Sequence, residues 1–405
     1  MTSALTEPTQ RVRAGWISLL FVANLGLWLA FYAPIQVLLP QQAELLDHAN
    51  KELVFGIVTG VGALAAVFAN PVAGLLSDRT TSRFGRRHPW TLGGAVVGAA
   101  GLAVLAAAGN VVVMVLGWCL VQVGLNAMLA TLISAIPDRV PVAQRAQTGG
   151  FIGISQMFGT VLGAVLVTSI VTGLVAGYLA SAAVVLLGAV AFVLFTPDEP
   201  LPGELVHRTK LQLWISPREH PGFVWMWGCH FMVNLGNALG TFYLLFFLKD
   251  VVGRADPEGS LLILMAFYGL ALVIGALVAG RLSDASGRRK PYVVVAVVLM
   301  AAAALILVVW PTWAGSLIAG PLLGAGFGVY WAVAIALLTQ LLPAAADRAK
   351  DLGVVNIANS LPQVFAPLVA SGILAVLGYA GLFAASAVAT LLAGVFLSRI
   401  RAAAQ

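Results

Sequence analysis

Long apolar runs separated by short polar breaks recur along this chain from one end to the other. A run of roughly 18 or more apolar residues is long enough to cross about 30 Å of hydrocarbon as a helix. Twelve such runs can be drawn, at 16–39, 53–77, 90–108, 111–136, 149–173, 176–195, 223–248, 259–282, 292–310, 313–341, 353–377 and 379–398. Barrel strands are shorter and alternate between apolar and polar positions, which these runs do not. In lipid a backbone must satisfy its own hydrogen bonds, so the runs are predicted to be helices. The fold class is therefore all-α and polytopic, with twelve transmembrane helices.

The polar breaks carry an internal repeat. Gly74-Leu75-Leu76-Ser77-Asp78 leads into Ser82-Arg83-Phe84-Gly85-Arg86-Arg87-His88-Pro89-Trp90, and Gly280-Arg281-Leu282-Ser283-Asp284 leads into Ser286-Gly287-Arg288-Arg289-Lys290-Pro291-Tyr292. The triplet Asn24-Leu25-Gly26 in the first run returns as Asn234-Leu235-Gly236 in the seventh, and Asp138-Arg139 returns as Asp347-Arg348. The longest hydrophilic interruption, Thr196–Pro221, contains Pro197, Pro200, Pro202 and Pro217. These features divide the chain into an N-terminal six-helix bundle (1–195), a cytoplasmic linker (196–222) and a C-terminal six-helix bundle (223–405). Each half has an even number of spans, so the repeat runs parallel about an axis along the membrane normal. A central path between two such halves is a transporter architecture, in which rocking alternates access.

Composition supports the membrane reading. The chain is 60% hydrophobic and 9% charged over 405 residues, against about 25% charged in soluble domains. The net charge of +6 does not point to a nucleic-acid partner, because the basic residues lie in short loops. There they set orientation. With the N-terminus inside, only Lys51, Lys249 and Arg254 of the 22 Lys and Arg fall outside. The expected location is the cell inner (plasma) membrane, multi-pass, with both termini cytoplasmic. Arg11 and Arg13 precede a first run too long for a signal peptide. Cys119 and Cys229, both inside apolar runs, read as packing residues. The frequent Ala, Gly, Val and Arg hint at a GC-rich bacterial source.

The loop residues look like the major facilitator superfamily. Gly74-x-Leu76-x-Asp78 with Gly85-Arg86-Arg87 resembles its signature between helices two and three. The longer form, from Asn70-Pro71 to Pro89-Trp90, resembles the glycoside–pentoside–hexuronide cation symporters and the sucrose-transporter-like branch. So does the run from Asp347 through Asn356-Ile357-Ala358 and Leu361-Pro362-Gln363. The resemblance implies sugar transport. It also implies gating: Asp78 would sit near the start of helix eleven, and Asp284, with Gly280 and Arg288, near the start of helix five. Gly74 would allow close helix approach, and Arg83, Arg86 and Arg87 would bridge to acids of the opposite half. The alternative is that these loops only set topology. The chain departs from the family where cation coupling resides. Ala66 and Asn70 stand at the cation-binding carboxylates of melibiose-type relatives; Gln122, Ile133 and Ala334 stand where sucrose-type members carry charges.

No Asp, Glu, Lys or Arg lies in the middle of a span. His230, about a third of the way along span seven, is the one candidate for coupling to protons; the other reading is a neutral His hydrogen-bonded to a neighbouring helix. The spans do contain neutral polar and aromatic groups that suit a hydroxylated solute. These are Asn24, Trp28, Tyr32 and Gln36 in span one; Gln122 and Asn126 in span four; and Gln156 in span five. The second half supplies Asn234, Asn237, Tyr268, Tyr330, Trp331, Asn356 and Asn359. Amides donate to and accept from hydroxyls, whereas an anionic solute would call for a cation. Interhelical polar packing is the alternative use of the same groups.

The leading expectation is a secondary transporter moving a neutral, sugar-like small molecule. Its partners are that solute and the lipid bilayer, with protons if His230 couples. The alternatives are an exporter of a drug or natural product, and a non-transporting receptor or scaffold. No metal-ligand cluster, catalytic set or phosphate-binding loop is visible in the spans, so neither an enzyme, a cofactor nor a metal is expected. A monomer is expected.

Overall fold

The computed structural model describes residues 8–200, 221–340 and 348–400. They form helices α1 (Ala14–Leu46), α2 (Lys51–Asp78), α3 (His88–Ala106), α4 (Val111–Arg139), α5 (Val142–Val165) and α6 (Leu174–Phe195). The second half contributes α7 (Pro221–Asp250), α8 (Pro257–Ser286), α9 (Lys290–Val309) and α10 (Trp313–Gln340). The last helical stretch, Arg348–Arg399, breaks at Gly378, whose φ of 63° is costly for any residue with a Cβ. It therefore counts as α11 (348–377) and α12 (379–399). Among the described residues, eleven stretches are long and apolar enough to cross a membrane, with Phe365–Arg399 taken as one. The break at Gly378 divides that last stretch into two helices, and the fold is all-helical and polytopic.

The chain falls into two compact units, Met1–Lys210 and Leu211–Gln405. In the first, α1 packs on α5 and α6, α4 on α2 and α3, and α3 on α6. In the second, α7 packs on the α11–α12 stretch, α10 on α8 and α9, and α9 on that same stretch. The pairings are the same, and the repeated triplet shows why. A Cβ on Gly26 would lie 3.0 Å from the Val184 carbonyl oxygen of α6, and one on Gly236 would lie 2.3 Å from Thr390 Oγ1 of α12. Without a hydrophobic force between helices in lipid, such close contact is what holds them together.

Several helices run past the apolar stretch that predicts them. Hydropathy falls at Gln41, Gln42 and Glu44, yet α1 continues to Leu46. Pro34 removes an N–H, and the helix widens into a π turn at Pro34–Leu38 before resuming. Gln42 is buried there. Its Nε2 donates to the Leu105 carbonyl at 2.8 Å, and its Oε1 accepts from Tyr178 Oη at 2.8 Å. The amide thus closes the end of α3. Helix α5 likewise begins at Val142, inside the predicted loop. Helix α7 is interrupted at Phe242 and Tyr243 and resumes at Leu244. Most of the predicted linker, residues 201–220, lies outside the described residues.

Candidate functional site

Two sets of side chains carry chemistry: neutral groups inside the bundles, and a charged network at the α2–α3 loop. In the first unit Trp28 and Tyr32, four residues apart on α1, stack with ring centroids 5.9 Å apart. Gln156 on α5 donates to Tyr32 Oη at 3.4 Å. Gln122 and Asn126 pair along α4, with Asn126 Nδ2 donating to Gln122 Oε1 at 3.0 Å. Asn24 Nδ2 donates to the Leu20 carbonyl one turn back at 2.9 Å. Its Oδ1 and the indole Nε1 of Trp28 are buried with no hydrogen-bond partner among the described residues. Gln36 is buried in the π turn.

The second unit gathers more of the predicted residues into one cluster. His230 Nδ1 lies 2.6 Å from Tyr330 Oη, and Nε2 is hydrogen-bonded to Asn359 Oδ1. An amide oxygen only accepts, so Nε2 carries the proton and, in a neutral ring, Nδ1 accepts from Tyr330. The imidazole stacks on Tyr330 at 5.5 Å and meets Trp331 edge-on at 5.4 Å. Asn234 donates to the His230 carbonyl at 2.8 Å, repeating the back-bond of Asn24. Tyr268 donates to Asn237 Oδ1 at 3.1 Å. The side chain of Asn356 lies outside the described residues. Among the described residues, the buried Lys, Arg, Asp and Glu are Lys51 and Arg87, both at helix ends.

At the α2–α3 loop the arginines have partners close by. Arg86 and Arg87 pair inside their own unit: Arg86 with Asp138, and Arg87 Nε with Asp138 Oδ2 at 2.8 Å. Arg87 also reaches Asp78 Oδ1 at 2.6 Å and Ser77 Oγ at 2.5 Å. Burial works against the charge on Arg87, but Asp138 and then Asp78 outweigh it and hold its pKa above the ordinary value. Arg83 is exposed, its guanidinium 4.8 Å from the Phe84 ring centre. A Cβ on Gly74 would meet nothing within 4 Å among the described residues, and one on Gly280 would reach Ala332 Cβ at 4.0 Å. Arg288 is exposed, its carbonyl 3.4 Å from Ser283 Oγ. The side chain of Asp284 lies outside the described residues.

Three partners were not expected from the sequence. Asp138 holds two arginines, and its signal was the Asp-Arg pair repeated at Asp347-Arg348, residues whose first member lies outside the described residues. Ser77 fills the remaining side of Arg87. Asp198, beyond α6, accepts from the backbone N–H of Arg87 and His88 at 2.6 and 2.8 Å, and so caps α3. Gly85 adopts φ 92°, and a Cβ there would fall 2.2 Å from Asp198 Cγ. Only a glycine lets the carboxylate reach the helix end. Nothing local in Thr196–Glu199 announces this role.

Comparison with known proteins places these features. The family model described as Major Facilitator Superfamily matches residues 15–262 and 256–404. An uncharacterised symporter of Synechocystis sp. is 51% identical over 41 residues, which cover 10% of this chain and 8% of that protein. The general alpha-glucoside permease of Schizosaccharomyces pombe is 28% identical over 127 residues, covering 26% of this chain and 23% of the permease. The matches therefore span less than a quarter of either relative. A crystal structure of a mutant of the nucleoside transporter NupG superposes with a TM-score of 0.73 at 13% identity, covering 95% of this chain and 99% of the other.

Proposed function

This chain belongs to the major facilitator superfamily, and on that premise we propose that it carries a neutral, hydroxyl-bearing, sugar-like solute across the membrane by alternating access. The observation that carries the reading is the pair of unpartnered buried atoms on α1, Asn24 Oδ1 and Trp28 Nε1. One accepts and the other donates, and they stand one helical turn apart on the same face. A buried polar atom without a partner is costly, and a hydroxyl can satisfy both kinds. The stacked Trp28 and Tyr32 rings offer flat apolar faces beside them. The local match to an alpha-glucoside permease supports the same class of cargo.

His230 is better explained as a neutral positioning group than as a proton carrier. Both ring nitrogens are engaged, one by Tyr330 and one by Asn359, which fixes the orientation of both partners. Transport would then be uncoupled from protons, with Asp78, Arg86, Arg87 and Asp138 governing the cytoplasmic side of the first unit. The plasma membrane and cytoplasmic termini belong to this same reading.

Counterflow of labelled disaccharides into proteoliposomes tests it, with ribonucleosides and an amphipathic drug as parallel arms. Saturable exchange of a neutral sugar is expected. Removing the indole N–H together with its five-membered ring, with Trp28→Phe, should raise the half-saturation concentration at least about tenfold, the worth of one hydrogen bond of about 1.4 kcal/mol. Silence for every sugar, with flux of the drug, would replace this reading with an exporter. His230→Gln should leave exchange within about twofold, and an imposed proton gradient should not drive accumulation in either protein; gradient-driven accumulation lost in His230→Gln would restore the coupling role.

A further inference from the structure

Helices α9 and α12 pack side by side in the second unit. They run in opposite directions, since Lys290 Nζ at the start of α9 donates to the Ile400 carbonyl just past the end of α12. Midway, a Cβ on Gly394 of α12 would lie 3.3 Å from Val297 Cγ1 of α9. Each helix also carries a row of exposed apolar side chains: Val294, Val298 and Leu305 on α9, and Val388, Leu392 and Val395 on α12. Residues three or four apart share a helix face. By that spacing the α9 row ends at Lys290 and the α12 row ends at Arg399. Each row lies roughly a quarter to a third of a turn from the contact of Val297 with Gly394, in the same rotational sense. On antiparallel helices the same sense means the same side. The two rows therefore line one exposed groove, with two cations at its foot.

The internal repeat shows that these charges are not dictated by the fold. Gly26 meets Val185 of α6, and Gly236 meets Ser386 of α12. Asp198 follows Val185 by the same interval that Arg399 follows Ser386. In the loop repeat, His88-Pro89-Trp90 corresponds to Lys290-Pro291-Tyr292. The exposed row on α6, Leu187 and Leu194, thus runs into an acid, which the start of α3 takes up. The matching row on α12 runs into an exposed cation. Among the described residues the acids of the second unit are Asp250, Asp256 and Glu258, at the end of α7 and the start of α8. They stand a helix length away from Lys290 and Arg399. The loops before α9 and α11 contain Asp284, Asp347 and Asp351, whose side chains lie outside the described residues, but those loops contain more Arg and Lys than acids.

We infer that the groove between α9 and α12 binds one anionic phospholipid, its phosphodiester between Lys290 and Arg399 and its acyl chains along the two apolar rows. Basic pockets between transmembrane helices take anionic head groups. The Lys290 ammonium keeps two donors after bonding Ile400, and the Arg399 guanidinium presents a planar fork that matches phosphate. A head group held by both ties the start of α9 to the end of α12, beside the bond from Lys290 to Ile400. The same corner of the first unit, with Asp198 in place of Arg399, repels such a lipid. The site depends on the chain crossing a bilayer and not on which solute it carries.

Native mass spectrometry of the delipidated full-length protein in detergent, titrated with dioleoylphosphatidylglycerol, tests the site, with dioleoylphosphatidylcholine as the zwitterionic arm. One saturable phosphatidylglycerol per chain is expected, bound more tightly than phosphatidylcholine and not displaced by millimolar inorganic phosphate. Lys290→Gln and Arg399→Gln should each weaken it about fivefold, the effect of one cation near an anionic head group. Arg399→Asp, which gives this corner the charge of the first unit, should weaken it further. Arg83→Gln removes an exposed cation of the first unit and should leave binding unchanged. If Lys290→Gln fails to fold without its bond to Ile400, the two Arg399 variants decide alone. Equal binding of the two lipids, displacement by inorganic phosphate, binding unchanged in both Arg399 variants, or an equal loss in Arg83→Gln would each overturn the proposal.

Discussion

Arg87 sits at the hub of the charged loop, and its partners are unequal. Asp138 is 19% exposed at the side chain and also holds Arg86, whereas Asp78 is 56% exposed. Removing one member of a buried pair leaves an uncompensated charge and costs about 3 kcal/mol or more. An exposed partner contributes under about 1 kcal/mol. Asp138→Asn should therefore lower the stability of the purified protein by about 3 kcal/mol, read by denaturant titration, and Asp78→Asn by less than about 1 kcal/mol. Equal losses would mean that Asp78 is more enclosed than it stands here. The types of these residues were legible in the sequence because charges are rare and concentrated in short loops. Their partners were not. Arg86 and Arg87 read equally well as bridges to another bundle, and only the folding of α4 beside α2 and α3 brings Asp138 under them. Asp198 was less legible still, since its role depends on Gly85 leaving room at the start of α3.

At the scale of the helix, the crossings are set by close contact rather than by apolar stripes. Gly324 and Gly328, one turn apart on α10, face the Tyr268 and Leu272 carbonyls of α8, where a Cβ would lie 2.2 and 2.0 Å away. Gly328→Ala should push α8 from α10 and destabilise the fold by about 1–3 kcal/mol. Gly74→Ala adds its methyl where nothing lies within 4 Å. It should leave stability unchanged or raise it by up to about 1 kcal/mol, as alanine favours a helix. Thermal denaturation of the two variants side by side distinguishes them. If Gly74→Ala folds well but loses exchange, the glycine is needed in a different conformational state. The helices themselves were legible from hydropathy, because crossing hydrocarbon demands length. Their extensions were not. Polar residues such as Gln42 end an apolar run, yet this side chain continues its helix by bonding the end of α3 and Tyr178.

For the whole molecule, the repeat in the sequence corresponds to a repeat in pairing, with the first, third and fourth helices of each unit meeting the same relatives. The triplets Asn24-Leu25-Gly26 and Asn234-Leu235-Gly236 foretold that duplication, and their glycines mark equivalent contacts. The distribution of Lys and Arg predicts orientation. Single cysteines placed at Glu258 and Arg83, in a background lacking Cys119 and Cys229, should label from opposite faces with an impermeant maleimide, Glu258→Cys from outside. Labelling of both from one face would show that the span count or the direction of insertion is wrong.

Between α11 and α12 the chain departs from helical geometry at one residue, Gly378. A joint that short stores no slack. If either helix slides along its own axis, the adjoining end of its sequel must move with it, so the two crossings share one moving corner.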